Sequence, residues 1–481
     1  MMRKLLLVTL GIFFMLANMN AQASWSLEKC INHALEENLM LKMAETNIAN
    51  EALTLKLNKA ARMPRLNASF NGGLQLGRTI DPTTNSFDNQ TIGFNSYGLN
   101  ASMLVYGGNS VNNSIKKSKL DLEAAKLDGE KSANDLALSV ANAYLSILLA
   151  DEQLRNVEKR LELSKEQLDQ TDKLIQAGSL PENNRLDFLS RIAQDEQLLI
   201  DAENLLATSY LNLRQLLLIE PGTPFDIQKP EVNVPADDPE QLSIDEVYTT
   251  ALGLQPQIKA ADLRVESANL NESVAKANLL PTVAIFGGLS TNYSSLSKDF
   301  ANPDESNLSF ELSTPVPLQI NGEDALVAQY IPQGIVYPDK PYFDQLNENF
   351  GQNVGVSVSI PIYNNGQNSI NIQRARLNTL NQEIGSQQAR NTLRADIQLA
   401  VSNARSGKKS YEAAQRALEA AEAAYENAKK RFDLGAISTF EFSTARNTYD
   451  QADVSLIRAK YQYIFFLKVV DFYLGREVVL D

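Results

Sequence analysis

Strict alternation of apolar and polar residues follows Pro64. Apolar residues occupy most even positions from Leu66 to Leu76, whereas odd positions hold uncharged polar residues such as Asn67 and Ser69. Successive side chains of a β-strand point to opposite faces of its sheet, so this pattern predicts one apolar face and one polar face. Three more segments alternate in a similar way, and they begin near Tyr97, Val283 and Val354.

Strands of about ten residues with these two faces are typical of transmembrane β-barrels, because every backbone polar group in lipid must be paired within the sheet. A soluble β-sandwich gives the same alternation, and the number of strands decides between them. Four strands cannot close a barrel in lipid, since the smallest membrane barrels need about eight. We therefore expect several chains to share one barrel. Three chains would supply 12 strands and two would supply 8, and the count alone allows either.

Two segments between the strand pairs carry helical patterns too long for a globular core. They run from Ser110 to Gly178 and from Asn368 to Leu434. Apolar residues in both recur at alternating spacings of three and four, which predicts helices that pair along a seam as coiled coils. A second helical pattern follows Gly178 and Gly435. We predict two helical hairpins that turn at these glycines, since glycine supplies the left-handed cap of a helix C-terminus.

The same order of elements occurs twice. The residues around Ser26 recur 217 positions later around Ser243. In each copy a helical pattern stops at a proline, Pro64 or Pro281, and a strand begins directly afterwards. Proline cannot continue a helix, so both positions predict helix-to-strand turns. Each copy thus consists of helix, strand, strand, long helix and return helix.

The duplication sets the expected domain boundaries. The first copy spans 24–220 and the second spans 242–475, with an irregular acidic linker at 221–241 and a short tail at 476–481. Residues 294–349 interrupt the second copy between its two strands and contain six prolines, which indicates an irregular loop. The other strand ends lead into helices, so we expect this insertion on the extracellular side of the barrel, where long loops are usual.

Residues 1–23 have the features of a secretory signal peptide. Two basic residues precede an apolar run from Leu5 to Leu16, and Ala21 and Ala23 form a small-x-small cleavage motif. We expect the mature, exported chain to start at Ser24. The formal net charge of −14 for the full chain argues against nucleic acid as a partner.

The composition offers little for enzymatic or metal chemistry. The chain contains one histidine, His33, and one cysteine, Cys30. Neither a metal-ligand cluster nor a Ser-His-Asp arrangement is therefore expected. No Gly-rich phosphate loop or nucleophile elbow occurs in the sequence. We predict no enzyme, no cofactor and no metal site, and we expect Cys30 to be a buried small apolar residue.

The duplicated arrangement resembles the TolC-like outer membrane efflux protein family, the outer membrane factors of tripartite efflux pumps and type I secretion systems. The resemblance extends from Ser24 to about Gly475. It rests on the prolines Pro64 and Pro281, the strand exits Tyr106-Gly107-Gly108 and Tyr363-Asn364-Asn365-Gly366, and the hairpin turn from Arg431 to Ser438. It implies a membrane α+β fold: a homotrimer with a shared 12-stranded transmembrane β-barrel, four strands per chain, continued by a long α-helical coiled-coil barrel in the periplasm.

The family also implies partners and a location. Its members extend from the outer membrane of Gram-negative-type bacteria into the periplasm and dock to a periplasmic membrane-fusion adaptor protein and an inner-membrane transporter. The resemblance makes Gly178, Gly435 and Arg431, at the hairpin tips, candidate adaptor contacts.

Acidic residues six and nine positions after each hairpin glycine narrow the periplasmic mouth in the family. Here the four positions hold Asn184, Asp187, Glu441 and Thr444, so only half of them are acidic. The resemblance therefore gives Asp187 and Glu441 as a candidate periplasmic gate. The alternative is that both are ordinary residues near helix starts, where carboxylates favour the positive end of the helix dipole.

Two functions from different classes remain. The first is a passive exit duct across the outer membrane, whose substrate is chosen by the transporter. The second is a periplasmic or surface coiled-coil scaffold or adhesin with no transport role, in which the strands form a small soluble sheet.

Overall fold

The computed structural model describes residues 24–80, 87–89, 91–230, 233–234, 238–320 and 323–476. The expected signal peptide, parts of the linker and most of the tail lie outside these ranges. Two compact units are present. The helical unit comprises the chain up to Thr54, Lys117–Asn269 and the chain from Arg376 onward, and the strand unit comprises Leu55–Lys116 and Leu270–Ala375.

The predicted long helices are confirmed. The helices in chain order are α1 (Leu27–Glu37), α2 (Leu39–Ala60), α3 (Ser110–Gln176), α4 (Asn183–Leu216), α5 (Ile244–Leu254), α6 (Pro256–Ala277), α7 (Tyr342–Glu348), α8 (Gln367–Asp433) and α9 (Thr439–Tyr473). Helices α3 and α8 have 67 residues each, so each is about 100 Å long at 1.5 Å per residue.

The strands build one main sheet and a set of short ladders. They are β1 (Arg65–Gln75), β2 (Arg78–Ile80), β3 (Phe87–Asn89), β4 (Ile92–Gly107), β5 (Thr282–Ser294), β6 (Ser309–Leu312), β7 (Val316–Ile320), β8 (Glu323–Val327), β9 (Tyr330–Gln333) and β10 (Gly351–Ser359). The four strands expected from the alternation form one antiparallel sheet in the order β1-β4-β5-β10.

The register of this sheet separates polar from apolar positions. Asn67 pairs with Asn100, which pairs with Gly288, and that glycine pairs with Asn353. Cross-strand partners lie on the same face, so this row belongs to a polar face. The adjacent row, Leu66-Ala101-Gly287-Val354, belongs to the opposite, apolar face. That face is uncovered in the single chain, where Val354 is 85% exposed.

Both helix-to-strand turns have the same geometry. Four residues separate the end of helix α2 from the start of β1, and the N–H of Met63 donates to the carbonyl of Ala60 at 2.8 Å. In the second copy the N–H of Leu280 donates to the carbonyl of Ala277 at 3.0 Å. Pro64 and Pro281 follow directly, as the sequence predicted, and each precedes the first residue of a strand.

The two turns that lead from a strand into a long helix also have the same backbone conformation. Two consecutive residues with positive φ precede each long helix: Gly108 (59°) and Asn109 (65°) before α3, and Asn365 (54°) and Gly366 (75°) before α8. Glycine and asparagine are the residues that adopt this left-handed conformation most readily. At Gly108 space is restricted as well, because a Cβ there would lie 3.0 Å from the carbonyl oxygen of Ala277.

The 294–349 insertion is more regular than its prolines indicated. Strands β6 and β9 pair with each other, and β7 and β8 pair within them, so these four strands form a ribbon within residues 309–333. Pro317 pairs with Leu326, and Pro332 pairs with Phe310. Proline is tolerated in edge strands, and every strand of a two-stranded ladder has an open edge, so the prolines did not prevent pairing.

Helix α7 attaches the insertion to β5. The buried side chain of Gln345 accepts a hydrogen bond from the N–H of Ser294 at 3.0 Å and donates to the carbonyl of Lys340 at 2.9 Å. The hydroxyl of Thr291 donates to the carbonyl of Leu346 at 2.6 Å. The base of the insertion is therefore fixed to the main sheet.

The helical unit contains the buried apolar cores. One core includes Tyr144, Ile147, Leu213 and Cys30, which is fully buried as predicted. A second core groups α5 residues with residues of α8 and α9, among them Ile397. By length and composition, one helix in the described part of the chain, α3, contains a stretch apolar enough to cross a membrane, and 39% of that stretch is buried within the protein.

Candidate functional site at the helical hairpin turns

The two hairpin turns have the same backbone geometry. Gly178 has a φ of 72° and Gly435 has a φ of 68°. After α3 the N–H of Ser179 donates to the carbonyl of Leu174 at 2.9 Å, and after α8 the N–H of Ala436 donates to the carbonyl of Arg431 at 2.8 Å. These are Schellman-type caps. Nothing lies within 4 Å of a Cβ built on either glycine, so the positive φ, not a lack of space, favours glycine.

Glu441 takes part in the start of helix α9. The hydroxyl of Ser438 accepts from the N–H of Glu441 at 3.2 Å, and the Glu441 carboxylate accepts from the N–H of Ser438 at 3.2 Å. This reciprocal pair is a capping box, which satisfies two donors that a helix start leaves open. Glu441 therefore stabilises the start of α9, which is the role that the sequence offered as the alternative to a gate. Its side chain remains exposed.

Asp187 has a different setting. It lies within α4, one turn beyond the helix start, and it is exposed. The residue before this helix, Glu182, makes no capping hydrogen bond through its side chain. Within the described residues, no hydrogen bond or ion pair links Asp187 to Glu441. The exposed Arg431 lies in the last turn of α8, next to the second hairpin turn.

Each acid precedes a buried phenylalanine, Phe188 or Phe442. These two rings join Tyr425 in a small apolar core. The ring of Phe432, at the end of α8, stacks on Phe442 with a centroid distance of 4.8 Å and meets Phe188 edge-on at 6.4 Å. The turn of the first hairpin therefore packs beside the turn of the second. Consecutive helix residues are about 100° apart, so each acid lies on a different side of its helix from the neighbouring phenylalanine, and both acids are exposed.

A buried ionic cluster joins three helices in the same part of the helical unit. It contains Arg160 of α3, Arg191 and Asp195 of α4, and Arg446 and Asp450 of α9. The carboxylate of Asp195 accepts from Arg160 Nε at 2.7 Å, and that of Asp450 accepts from Arg191 Nη2 at 2.5 Å. Arg160 Nε also lies 3.2 Å from Asp450. Asp195 is fully buried, and Arg446 is 3% exposed.

Neutral groups complete this cluster. Ser164 donates to the Asp195 carboxylate at 2.5 Å. Arg446 donates to the carbonyl of Arg160 at 2.7 Å and to the side chain of Gln167. Arg191 Nε is buried without a hydrogen-bond partner; it lies 3.5 Å from the Asp195 carboxylate.

Burial and charge act in opposite directions on these groups. Burial raises the pKa of Asp450 above its ordinary value, while the three arginines lower it. The pKa of Arg191 is lowered, first by burial and then by the neighbouring Arg160. Removing one member of a buried ion pair leaves the other charge uncompensated, which is costly. The cluster is therefore a structural tie between the first hairpin and α9.

Sequence reasoning located the turns and the acids but missed the aromatic core and the ionic cluster. A signal for the cluster does exist: both return helices contain an arginine followed four residues later by an aspartate, Arg191-Asp195 and Arg446-Asp450. Among the described residues, no group of three or more His, Cys, Asp or Glu side chains is arranged to hold a metal ion.

Known proteins are similar to this chain in sequence and in fold. The chain is 29% identical over 285 residues to the cation efflux system protein CusC of Escherichia coli (strain K12), a match that covers 56% of the chain and 57% of that protein. The chain thus spans just over half the length of the curated relatives that it matches.

Solved structures match over most of the chain. A crystal structure of CusC has a TM-score of 0.73 at 20% identity and covers 94% of this chain and 92% of that one. The CmeC outer membrane channel of Campylobacter jejuni has a TM-score of 0.70 at 19% identity, with coverages of 93% and 85%. These likenesses show the fold. The family model "Outer membrane efflux protein" matches residues 30–217 and 346–475, more than half of the chain. The chain therefore belongs to the outer membrane efflux protein family, whose members are channel proteins.

Proposed function

We propose that three copies of this chain form a passive exit duct across the outer membrane, serving a tripartite efflux pump or a type I secretion system. Three copies of the strand unit close one 12-stranded barrel in the membrane. Three copies of the helical unit line the periplasmic part of the duct. The duct is not an enzyme and needs no cofactor, because it only provides a path.

The sheet order β1-β4-β5-β10 carries this proposal. Strands β1 and β10 are the two edges of the sheet, and an open edge is not tolerated in hydrocarbon. Pairing β10 of one copy with β1 of the next removes every edge once the ring closes. Strands β1 and β10 have 11 and 9 residues, close to the 9–11 residues of a tilted transmembrane strand. The uncovered apolar face then meets lipid.

The remaining features support a periplasmic connection. Residues 1–23 direct export, the two repeats at 24–220 and 242–475 each supply two strands of the wall, and the 294–349 insertion lies outside the cell. The hairpin turns at Gly178 and Gly435, with the exposed Arg431, contact a periplasmic adaptor. That adaptor connects the duct to an inner-membrane transporter, which selects the substrate.

The acids Asp187 and Glu441 form the periplasmic gate in this proposal. Their exposure beside the two packed turns supports this role, since three copies around one axis bring six carboxylates together. Like charges crowded in this way attract cations. The capping box of Glu441 does not exclude the role, because its charge remains while it caps α9.

Native mass spectrometry of protein extracted from outer membranes in detergent tests the assembly. We expect three chains in one particle, and channels when that particle is added to a planar bilayer. A monomer with a closed barrel would overturn the trimer. Recovery of the protein only in the soluble periplasmic fraction would overturn the duct and favour a coiled-coil scaffold.

A further inference from the structure

The four strands of the main sheet contain one charged side chain. Strands β1, β4, β5 and β10 have 11, 16, 13 and 9 residues, and Arg65 is the single Asp, Glu, Lys, Arg or His among them. In the whole chain, 21% of residues are charged. Lipid exposure explains the lack of charge on the apolar face. It does not explain the lack on the polar face, where charged side chains are tolerated.

The register places Arg65 on the polar face. Arg65 pairs with Ser102, which pairs with Phe286, and Phe286 pairs with Gly355. This row lies two residues from the row of Asn67 along β1 and therefore on the same face. Arg65 is exposed, and it forms no ion pair with any residue that the structure describes.

We propose that Arg65 sets the charge selectivity of the barrel, as a ring of three guanidinium groups on its inner wall that favours small anions over cations. This inference rests on the proposed trimeric barrel, in which the polar face points inward. Because β1 begins at Arg65, directly after the helix-to-strand turn at Pro64, the ring lies at the end of the barrel that adjoins the helices.

The inward-facing residues of the barrel do not cancel the electric field of the three guanidinium groups. The other inward positions of the four strands hold neutral side chains such as Asn67, Asn100 and Asn353. A ring of like charges in a pore raises the local concentration of counter-ions. The Debye length is about 8 Å at physiological ionic strength and about 3 Å at 1 M, so the preference should weaken strongly in concentrated salt.

Reversal potentials of purified channels in planar bilayers, under a KCl gradient at low salt, measure this preference. Arg65→Gln should shift the ratio of cation to anion permeability towards cations, and Arg65→Glu should shift it further. Arg62→Gln is the matched control. It removes the same charge three residues earlier, where Arg62 bonds Asn112 outside the strands, and it should leave the ratio unchanged. At 1 M salt the permeability ratios of the wild type and the Arg65 variants should become equal.

A cysteine variant covers the case in which Arg65→Gln fails to assemble. In Arg65→Cys, modification of the assembled channel with a cationic thiol reagent should return the permeability ratio towards that of the wild type, and an anionic reagent should shift it further towards cations. The native Cys30 is fully buried, so it does not compete for the reagent.

Two results separate this inference from the function on which it rests. Conducting wild-type channels whose reversal potential is unchanged in Arg65→Gln, or changed equally in Arg62→Gln, would overturn the inference alone. A wild-type protein that forms no channel would overturn both. Repeating the comparison with Asp187→Asn and Glu441→Gln in place removes the gate charges, and the Arg65 shift should persist there.

Discussion

Arg191 of α4 donates a hydrogen bond from Nη2 to the carboxylate of Asp450 on α9 at 2.5 Å, and both side chains are buried. The bond joins residues 259 positions apart, one in each copy of the repeat. A comparison of the two copies position by position could not predict this hydrogen bond, because Arg191 and Asp450 are not at equivalent positions of the repeat. It stabilises the contact between the first hairpin and the return helix of the second.

Asp450→Asn should lower the stability of the folded protein by about 3–5 kcal/mol, since it leaves buried arginines short of a carboxylate. Thermal unfolding followed by circular dichroism in detergent checks this. The control is Asp169→Asn, which breaks an exposed pair with Lys173 and should cost less than about 1 kcal/mol. Equal unfolding temperatures for the two variants would show that the cluster does not stabilise the helical unit.

Removing the gate charges should change single-channel conductance and weaken block by multivalent cations. The informative double variant is Asp187→Asn with Glu441→Gln, because glutamine at the N3 position keeps the capping box while losing the charge. Glu441→Ala should in addition destabilise α9 by about 1 kcal/mol. Glu182→Gln, an exposed acid beside the first turn, serves as the charge control. Unaltered conductance and block in the double variant would leave Glu441 only its helix-start role.

Deleting the ribbon Ser309–Gln333 should spare assembly. Asn307 and Gly334 are adjacent at its base, so a short glycine-containing turn can replace it. Deleting all of 294–349 should instead impair assembly, because it removes Gln345 and the other bonds of α7 to β5. The yield of heat-modifiable trimer from outer membranes compares the two deletions. A poor yield after the shorter deletion would mean that the ribbon contributes to folding.

Cys30 should resist thiol reagents in the native protein. Burial raises the pKa of its thiol to about 12, and the thiolate is the reactive form. At neutral pH, well below that pKa, the group is protonated as well as covered. Labelling with a maleimide, followed by mass spectrometry, should give no adduct in the native trimer and one adduct per chain after denaturation. Native labelling at the denatured rate would contradict the burial of Cys30 in the apolar core of the helical unit.

Local patterns predicted much of the fold. The period-two alternation located β1, β4, β5 and β10, and the spacing of three and four located α3 and α8. Glycines at 178 and 435 predicted the hairpin turns because their role is set by backbone conformation alone. The ribbon was missed because proline content indicates loops, although the open edges of a two-stranded ladder accept proline.

The candidate site was less predictable because its contacts are distant in sequence. Periodicity shows which face of a helix is apolar, but it does not show which other helix covers a buried arginine. Arg446, for example, bonds the carbonyl of Arg160, 286 residues away. The acids Asp187 and Glu441 were found by resemblance, and only the structure showed that Glu441 also caps a helix.

The alternation within the strands also bears on how the chain is exported. A translocon retains segments of about 20 consecutive apolar residues in the inner membrane. Polar residues and glycine interrupt β1, β4, β5 and β10, so none of them presents such a segment, although in the proposed duct one face of each ends in lipid. Helix α3 contains the one stretch in the described part of the chain that reaches a membrane helix in length and mean hydropathy, but polar residues such as Ser139 and Asn142 interrupt it as well. Neither the four strands nor this helix therefore presents the continuous apolar run that would hold the chain in the inner membrane during export.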